Sequence, residues 1–120
     1  VQALEGEKII VTGNVDSVEE YYAKADLVVI PLLHGSGVKI KLLEAVSYKR
    51  PVVTTEIGVE GTLFENSVDM FAEKCLAILS DKEMASRLVK NAYDKFLESY
   101  TWEQIGKKYI ELLNNVTINN

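Results

Sequence analysis

The sequence predicts an α/β fold, a Rossmann-like parallel sheet with flanking helices. Two observations predict it: short β-branched runs alternate with segments of helical periodicity, and the first two runs end at glycine or proline. Parallel strands cannot be joined by tight turns, so each connection contains a helix that covers the sheet. Three strands are few for so many helices. We therefore expect further strands before Val1 and a domain truncated on its N-terminal side.

The predicted strands are three short runs. Residues 8–12 and 26–30 are β-branched runs that end at Gly13 and Pro31, and both are expected to be buried. Residues 51–55 form the third run, whose first residue is a proline, acceptable at the start of a strand. The order strand, helix, strand, helix, strand follows.

The helices are predicted from apolar spacing and caps. The first lies between residues 12 and 26, where Asp16 or Ser17 can cap its first turn. The second covers residues 38–48, with Ile40, Leu43, Ala45 and Val46 expected at the buried face. Three more helices, the last two capped by Asp81 and Thr101, are predicted at residues 68–80, 82–98 and 102–113.

Composition limits the organisation and the partners. The 120 residues, 48% of them hydrophobic, suit one domain over residues 1–120. Thirteen Lys and Arg against 18 Asp and Glu give a net charge of −5, which disfavours a nucleic-acid partner, so a bound phosphate must be met locally.

Membrane insertion and secretion are also disfavoured. The longest apolar stretch, residues 27–33, is far shorter than the roughly 20 residues of a membrane span, and Val1 begins no recognisable signal peptide. The single cysteine, Cys75, lies at helical spacing with apolar residues and is expected to be a buried thiol. A cytoplasmic location is therefore predicted.

Residues 30–45 carry the chemistry of the sequence. They run from the end of a strand through Gly35, Ser36 and Gly37 into a helix. In open α/β sheets, ligands bind outside the carboxyl ends of strands, and a glycine turn lets backbone amides approach a phosphate at the positive end of the next helix. The stretch therefore indicates an anion site.

Two charged residues on that helix extend the site. Lys41 is four residues past Gly37, within reach of an anion at the helix start, and Lys39 can assist. Glu44 is three residues further on the same face, where its carboxylate can accept hydrogen bonds from vicinal hydroxyls such as those of ribose. Diphosphate and ribose would then be bound together.

The same residues also have plain structural explanations. Two glycines before a helix are ordinary in loops, Ser36 can serve only as a cap, and Lys41 and Glu44 can be solvated surface charges. His34, alone near a loop, is more often a surface or packing residue than a catalyst. Spacing by itself leaves these alternatives open.

The order of these motifs resembles the donor-binding signature of GT-B glycosyltransferases, the glycosyl transferases group 1 of the glycogen-synthase and sucrose-synthase-like superfamily. The closing helix also begins as in that family, with an aromatic residue, Ser or Thr, and Trp. The resemblance covers nearly the whole chain and is carried by Pro31, the glycine pair, Lys41, Leu43-Glu44-Ala45, residues 51–55, Ile57-Gly58-Val59-Glu60-Gly61 and Tyr100-Thr101-Trp102-Glu103.

The resemblance implies roles for individual residues. Glu44 would bind the nucleotide ribose, and Lys41 and Gly37 would flank the diphosphate of a nucleoside-diphosphate sugar. Ser36 stands where many members have a glutamate that touches the donor sugar. The missing carboxylate at this position is a departure from the family. No catalytic residue, metal site or cofactor beyond the donor is assigned. Further possible donor contacts are His34, Lys39, Gly58 and Val59.

The resemblance also implies a reaction and a partner. The expected reaction is transfer of a glycosyl group, of hexosyl type with retention, to an acceptor hydroxyl. The acceptor-binding domain would lie N-terminal in the parent chain, so this chain alone is expected to be inactive. A second departure follows Gly61, where members have another strand before the helix at residues 68–80. Here that connection looks shortened or lacks residues.

Two other functions remain as alternatives. A nucleotide-sugar epimerase shares the architecture but needs acid and base groups that these residues do not display. A non-catalytic α/β binding module, such as a receiver-like domain, is suggested faintly by residues 26–30. That strand ends in Pro31 and Leu32 where a receiver needs a phosphorylatable aspartate.

Overall fold

A computed structural model describes residues 2–31, 38–55, 63–64 and 68–118 of the chain. A 3₁₀ turn, Gln2–Leu4, precedes five helices and three strands. The helices are α1 Glu19–Lys24, α2 Val38–Ser47, α3 Val68–Ser80, α4 Lys82–Ser99 and α5 Trp102–Ile118. The strands are β1 Val28–Ile30, β2 Val52–Thr54 and β3 Leu63–Phe64.

The three strands form one parallel sheet in the order β1-β2-β3. Val28 lies beside Val52 and Ile30 beside Thr54, while Val53 lies beside Leu63. Helix α2 connects β1 to β2 and packs on both strands, and α3 packs on β2. The predicted α/β class, a parallel sheet with flanking helices, is confirmed.

The predicted strand at residues 8–12 is wrong. Gly6 and Ile9 exchange two backbone hydrogen bonds, of 3.0 and 3.2 Å, which close a tight turn at the beginning of this run. The side chain of Ile10 is 83% exposed. β-branched residues favour a strand only where a neighbouring strand and a packing surface are available. Within the described part of the chain, no strand of the sheet pairs with residues 8–12.

The connection after Gly61 holds a strand that the sequence analysis missed. Leu63 and Phe64 form β3, which pairs in parallel with β2 before α3 begins. A strand of two residues is too short to show the alternation that predicts a strand from sequence. The connection expected to be shortened or to lack residues therefore contains a strand of two residues.

The core lies between the sheet and the helices α2 and α4. Leu42, Ala45 and Val46 of α2 are buried against Val52 and Ala92. In the expected buried face, Ala45 and Val46 are confirmed and Leu43 packs partly against the core. Ile40 is wrong, because its side chain is 75% exposed and Leu42, at 0% exposure, takes the central position.

The edge strand β1 is less buried than predicted. Ile30 is buried, but Val29 faces the other side of the sheet and is about half exposed. β2 is the central strand, and all three of its side chains are buried.

Cys75, expected to be a buried thiol, is half-buried on α3, and this burial raises its pKa.

The caps predicted for the later helices are confirmed. The Asp81 carboxylate accepts a hydrogen bond from Met84 N at 2.9 Å, and the Thr101 hydroxyl oxygen accepts one from Gln104 N at 3.3 Å. For α1, Ser17 Oγ accepts from Glu19 N at 3.3 Å. Each side chain satisfies a helix N–H that has no acceptor within the helix.

The outer helices make the molecule elongated. Its dimensions are 63 × 33 × 27 Å, and α5 packs on α4. Across residues 2–31, 38–55, 63–64 and 68–118, no helix has the length and apolarity that a bilayer span requires. Exposed apolar residues of α5 include Trp102, Ile105, Tyr109, Ile110, Leu112, Leu113 and Val116.

Candidate functional site

Helix α2 begins at the carboxyl edge of the sheet. It connects two parallel strands, so it leaves the carboxyl end of β1 and returns to the amino end of β2. At the carboxyl edge, Thr55 ties the two strands together, since its N–H and its hydroxyl donate to Ile30 O at 3.3 and 3.4 Å. The first turn of α2 therefore lies where open α/β sheets bind ligands.

Glu44 is a half-buried carboxylate on α2. The Tyr22 hydroxyl donates a hydrogen bond to Glu44 Oε2 at 3.2 Å. The backbone of Glu44 is also held, because its carbonyl accepts from Ser47 Oγ at 2.6 Å and from Tyr48 N at 3.2 Å. Both the carboxylate and the backbone of this residue thus have fixed partners.

Tyr22 is itself held by an aromatic neighbour. Its ring stacks on the Tyr48 ring, with the centroids 4.8 Å apart and the planes 8° from parallel. Burial and the adjacent Glu44 carboxylate raise the pKa of Tyr22 to about 12, so the phenol stays protonated at neutral pH and can donate. We use the name Tyr–Tyr–Glu cluster for the three residues Tyr22, Tyr48 and Glu44.

Lys41 and Glu44 lie on the same helix and the same face, as predicted, because three residues are close to one turn. The Lys41 side chain is exposed, whereas Glu44 is half-buried. The exposed ammonium of Lys41 is suited to an anionic group. The carboxylate of Glu44, held by Tyr22, is suited to a group that carries hydroxyls.

The other predicted site residues have no described geometry. Lys39 lies on α2, but its side chain is outside what the structure describes. The donor contacts of Lys41 and Glu44, and those of the remaining residues, stay predictions. Outside the described residues are Gly35, Ser36, Gly37, His34, Gly58 and Val59.

The sequence analysis missed the part that Tyr22 and Tyr48 play at Glu44. No contact or role was predicted for either tyrosine. Tyr22 and Glu44 are 22 residues apart, and no local spacing predicts such a contact. One available signal was the tyrosine itself, since a buried tyrosine usually finds a hydrogen-bond partner for its hydroxyl.

A cavity of about 610 Å³ lies at the opposite edge of the sheet. Asp26 and Pro51, which precede β1 and β2, line it together with one face of α4. Neither Lys41 nor Glu44 lines this cavity. Since ligands of open α/β sheets bind at the carboxyl edge, the α2 site is a better candidate than this cavity. The described residues hold no cluster of three or more His, Cys, Asp or Glu suited to a metal.

Known proteins resemble the chain over most of its length. An uncharacterized glycosyltransferase of Methanocaldococcus jannaschii is 29% identical over 117 aligned residues, which cover 88% of this chain and 30% of that protein. A probable sucrose-phosphate synthase of Thermosipho melanesiensis is 27% identical over 90 residues, covering 71% of this chain and 21% of that protein. No solved structure gave a significant match.

The family comparison covers the sheet and the candidate site. Residues 1–81 match the glycosyl transferases group 1 family, and this range includes all three strands, α2 and the Tyr–Tyr–Glu cluster. The match extends over more than half of the 120 residues. This chain belongs to the glycosyl transferases group 1 family.

Proposed function

We propose that the chain is the donor-binding domain of a GT-B glycosyltransferase. The parent enzyme transfers a glycosyl group from a nucleoside-diphosphate sugar to an acceptor hydroxyl. The observation that carries the proposal is the fixed carboxylate of Glu44, three residues from the exposed ammonium of Lys41, on a helix that starts at the carboxyl edge of the sheet. Membership of the family supports the reaction class.

Glu44 is suited to bind the ribose of the donor. A carboxylate has two oxygens and about four lone-pair positions, so it can accept bonds from two vicinal hydroxyls while keeping its bond from Tyr22. Hydrogen bonds to a charged group contribute more than neutral ones, about 1.5–3 kcal/mol each. Ribose recognition would therefore supply much of the nucleotide affinity.

Lys41 and the start of α2 are suited to bind the diphosphate. Helix N-termini carry a partial positive charge and free N–H groups, and the lysine adds a full charge. Negative charge develops on the diphosphate as the glycosyl bond breaks, and fixed donors stabilise that charge in the transition state. In this proposal Gly35, Ser36 and Gly37 add backbone contacts to the same group. His34, Lys39, Gly58 and Val59 are the further donor contacts.

The acceptor site belongs to another part of the proposed enzyme. The chain spans 30% and 21% of the lengths of the two relatives, so those proteins contain much more than this domain. The exposed apolar residues of α5 support an acceptor-binding domain that packs nearby. Hexosyl transfer with retention, the inactivity of this chain alone and a cytoplasmic location stay predictions from the family resemblance and the single cysteine.

An activity assay on the full-length protein tests the proposal. We expect release of nucleoside diphosphate from one of a panel of nucleotide sugars in the presence of acceptor sugars. Lys41→Ala should lower kcat/KM by roughly tenfold to a hundredfold, because it removes a charge that acts on the leaving diphosphate. Lys82→Ala, which removes an exposed lysine at the start of α4, should leave kcat/KM unchanged.

Three results would contradict the proposal. Equal kcat/KM values for wild-type protein and Lys41→Ala would remove the lysine from the donor site. Epimerisation of a nucleotide sugar without any acceptor would assign the protein to the alternative enzyme class. Absence of any reaction or binding with the panel would leave a non-catalytic α/β module.

A further inference from the structure

The Tyr–Tyr–Glu cluster joins two helices, and the turn after the second of them, around one carboxylate. Tyr22 lies on α1, Glu44 lies on α2, and Tyr48 follows the end of α2. The Tyr22 ring also packs against the buried core residues, so the phenol is held by the core as well as by the Tyr48 ring. A hydroxyl fixed in this way can hold a flexible side chain in one rotamer.

A glutamate on a helix needs such a partner to keep a defined orientation. Its side chain has three rotatable bonds, and fixing a side chain of this kind costs about 1–2 kcal/mol of conformational entropy. In the structure the Tyr22 hydroxyl donates a hydrogen bond to Glu44 Oε2 at 3.2 Å, and no described residue donates to Glu44 Oε1. Among the residues that the structure describes, one carboxylate oxygen has a protein donor, and the other can accept a hydrogen bond from a ligand.

We infer that Tyr22 is a positioning residue that fixes the Glu44 carboxylate for the ribose hydroxyls and so strengthens the preference for ribose over deoxyribose. This inference rests on the proposed function, in which Glu44 binds the ribose. Tyr22 acts through Glu44 and need not touch the nucleotide. Tyr48 contributes by holding the Tyr22 ring.

Binding titrations of the full-length protein test this role. The probes are uridine, guanosine, adenosine and cytidine diphosphates and their 2′,3′-dideoxy counterparts, which lack both ribose hydroxyls. Tyr22→Phe keeps the ring and its stacking but removes the hydroxyl donor. We expect this variant to bind the preferred ribonucleotide roughly threefold to tenfold more weakly and to bind its dideoxy counterpart with unchanged affinity.

Three further variants complete the test. Tyr21→Phe removes the hydroxyl of the neighbouring, exposed tyrosine and should change neither affinity. Glu44→Ala should abolish the preference for ribose, and adding Tyr22→Phe to Glu44→Ala should have no additional effect, because the two residues act as a unit.

The outcomes separate the two proposals. If Glu44→Ala removes the ribose preference and Tyr22→Phe does not change it, Glu44 binds ribose and the positioning role is overturned. Equal weakening of ribose and dideoxy nucleotides by Tyr22→Phe would overturn the positioning role as well, since it indicates a general structural effect. If Glu44→Ala leaves the preference intact, or no diphosphate binds, the proposed function fails and the positioning role fails with it.

Discussion

At the scale of single residues, the site depends on a carboxylate whose orientation comes from a distant part of the sequence. The sequence predicted that Lys41 and Glu44 share a helix face, because helical spacing is local. It did not predict the bond from Tyr22 to Glu44, because a contact over 22 residues depends on how α1 packs against α2. The wrong position of Ile40 has the same origin, since apolar spacing gives a face but tertiary packing chooses its centre.

The Tyr22 hydroxyl should titrate at unusually high pH. Burial, and then the negative Glu44, raise its pKa from 10.0 to about 12. Absorbance at the phenolate band would be measured against pH for the wild type and for Tyr22→Phe. The difference between the two titration curves should have its midpoint near pH 12. Glu44→Gln should lower that midpoint, because it removes the negative charge while burial remains.

The sign of the linked stability effect follows from the raised pKa. Folding favours the protonated phenol, so the contribution of Tyr22 is complete below pH 10 and is lost as pH rises toward 12. The difference in unfolding free energy between wild type and Tyr22→Phe should narrow over that interval. A midpoint near pH 10 in the difference titration would show that Tyr22 is exposed and not bonded to Glu44.

At the scale of helices and strands, the sequence predicted the features that depend on residues close to one another in the chain. The side-chain caps Asp81 and Thr101 and the long helices were predicted, because a cap and its N–H are within three residues. Strands were predicted less well. Residues 8–12 have strand propensity, but in the described part of the chain they form only the single bridge between Gly6 and Ile9 and pair with no strand of the sheet. Strand β3 has a partner but only two residues. Strand formation depends on a neighbour that the local sequence does not contain.

The buried face of α2 gives a stability prediction. Leu42→Ala should lower the free energy of unfolding by about 2–5 kcal/mol, because Leu42 is fully buried and its removal leaves a cavity. Ile40→Ala, two residues away and 75% exposed, should change it by less than about 0.5 kcal/mol. Chemical denaturation of both variants measures the contrast. Similar losses for the two variants would place Ile40 in the core and contradict the described face.

At the scale of the whole molecule, the chain is less compact than a closed domain. Its radius of gyration is 17.4 Å, whereas about 14 Å is typical of a compact domain of this length. In the described residues, the buried core lies in the sheet, α2, α3 and α4, while α5 packs on α4 with apolar residues exposed. The single-domain assignment of residues 1–120 and the N-terminal acceptor-binding domain stay predictions.

We propose that helix α2 binds the nucleotide of the donor through Lys41 and Glu44. The most direct test is calorimetric titration of the full-length protein and of a double variant, Lys41→Ala with Glu44→Ala, with uridine and guanosine diphosphates. We expect the wild-type protein to bind at least one of these diphosphates. The double variant should bind it at least about a hundredfold more weakly, because a charge and a charged hydrogen-bond acceptor are both lost. Equal binding by the two proteins, or no binding by the wild type, would contradict the account.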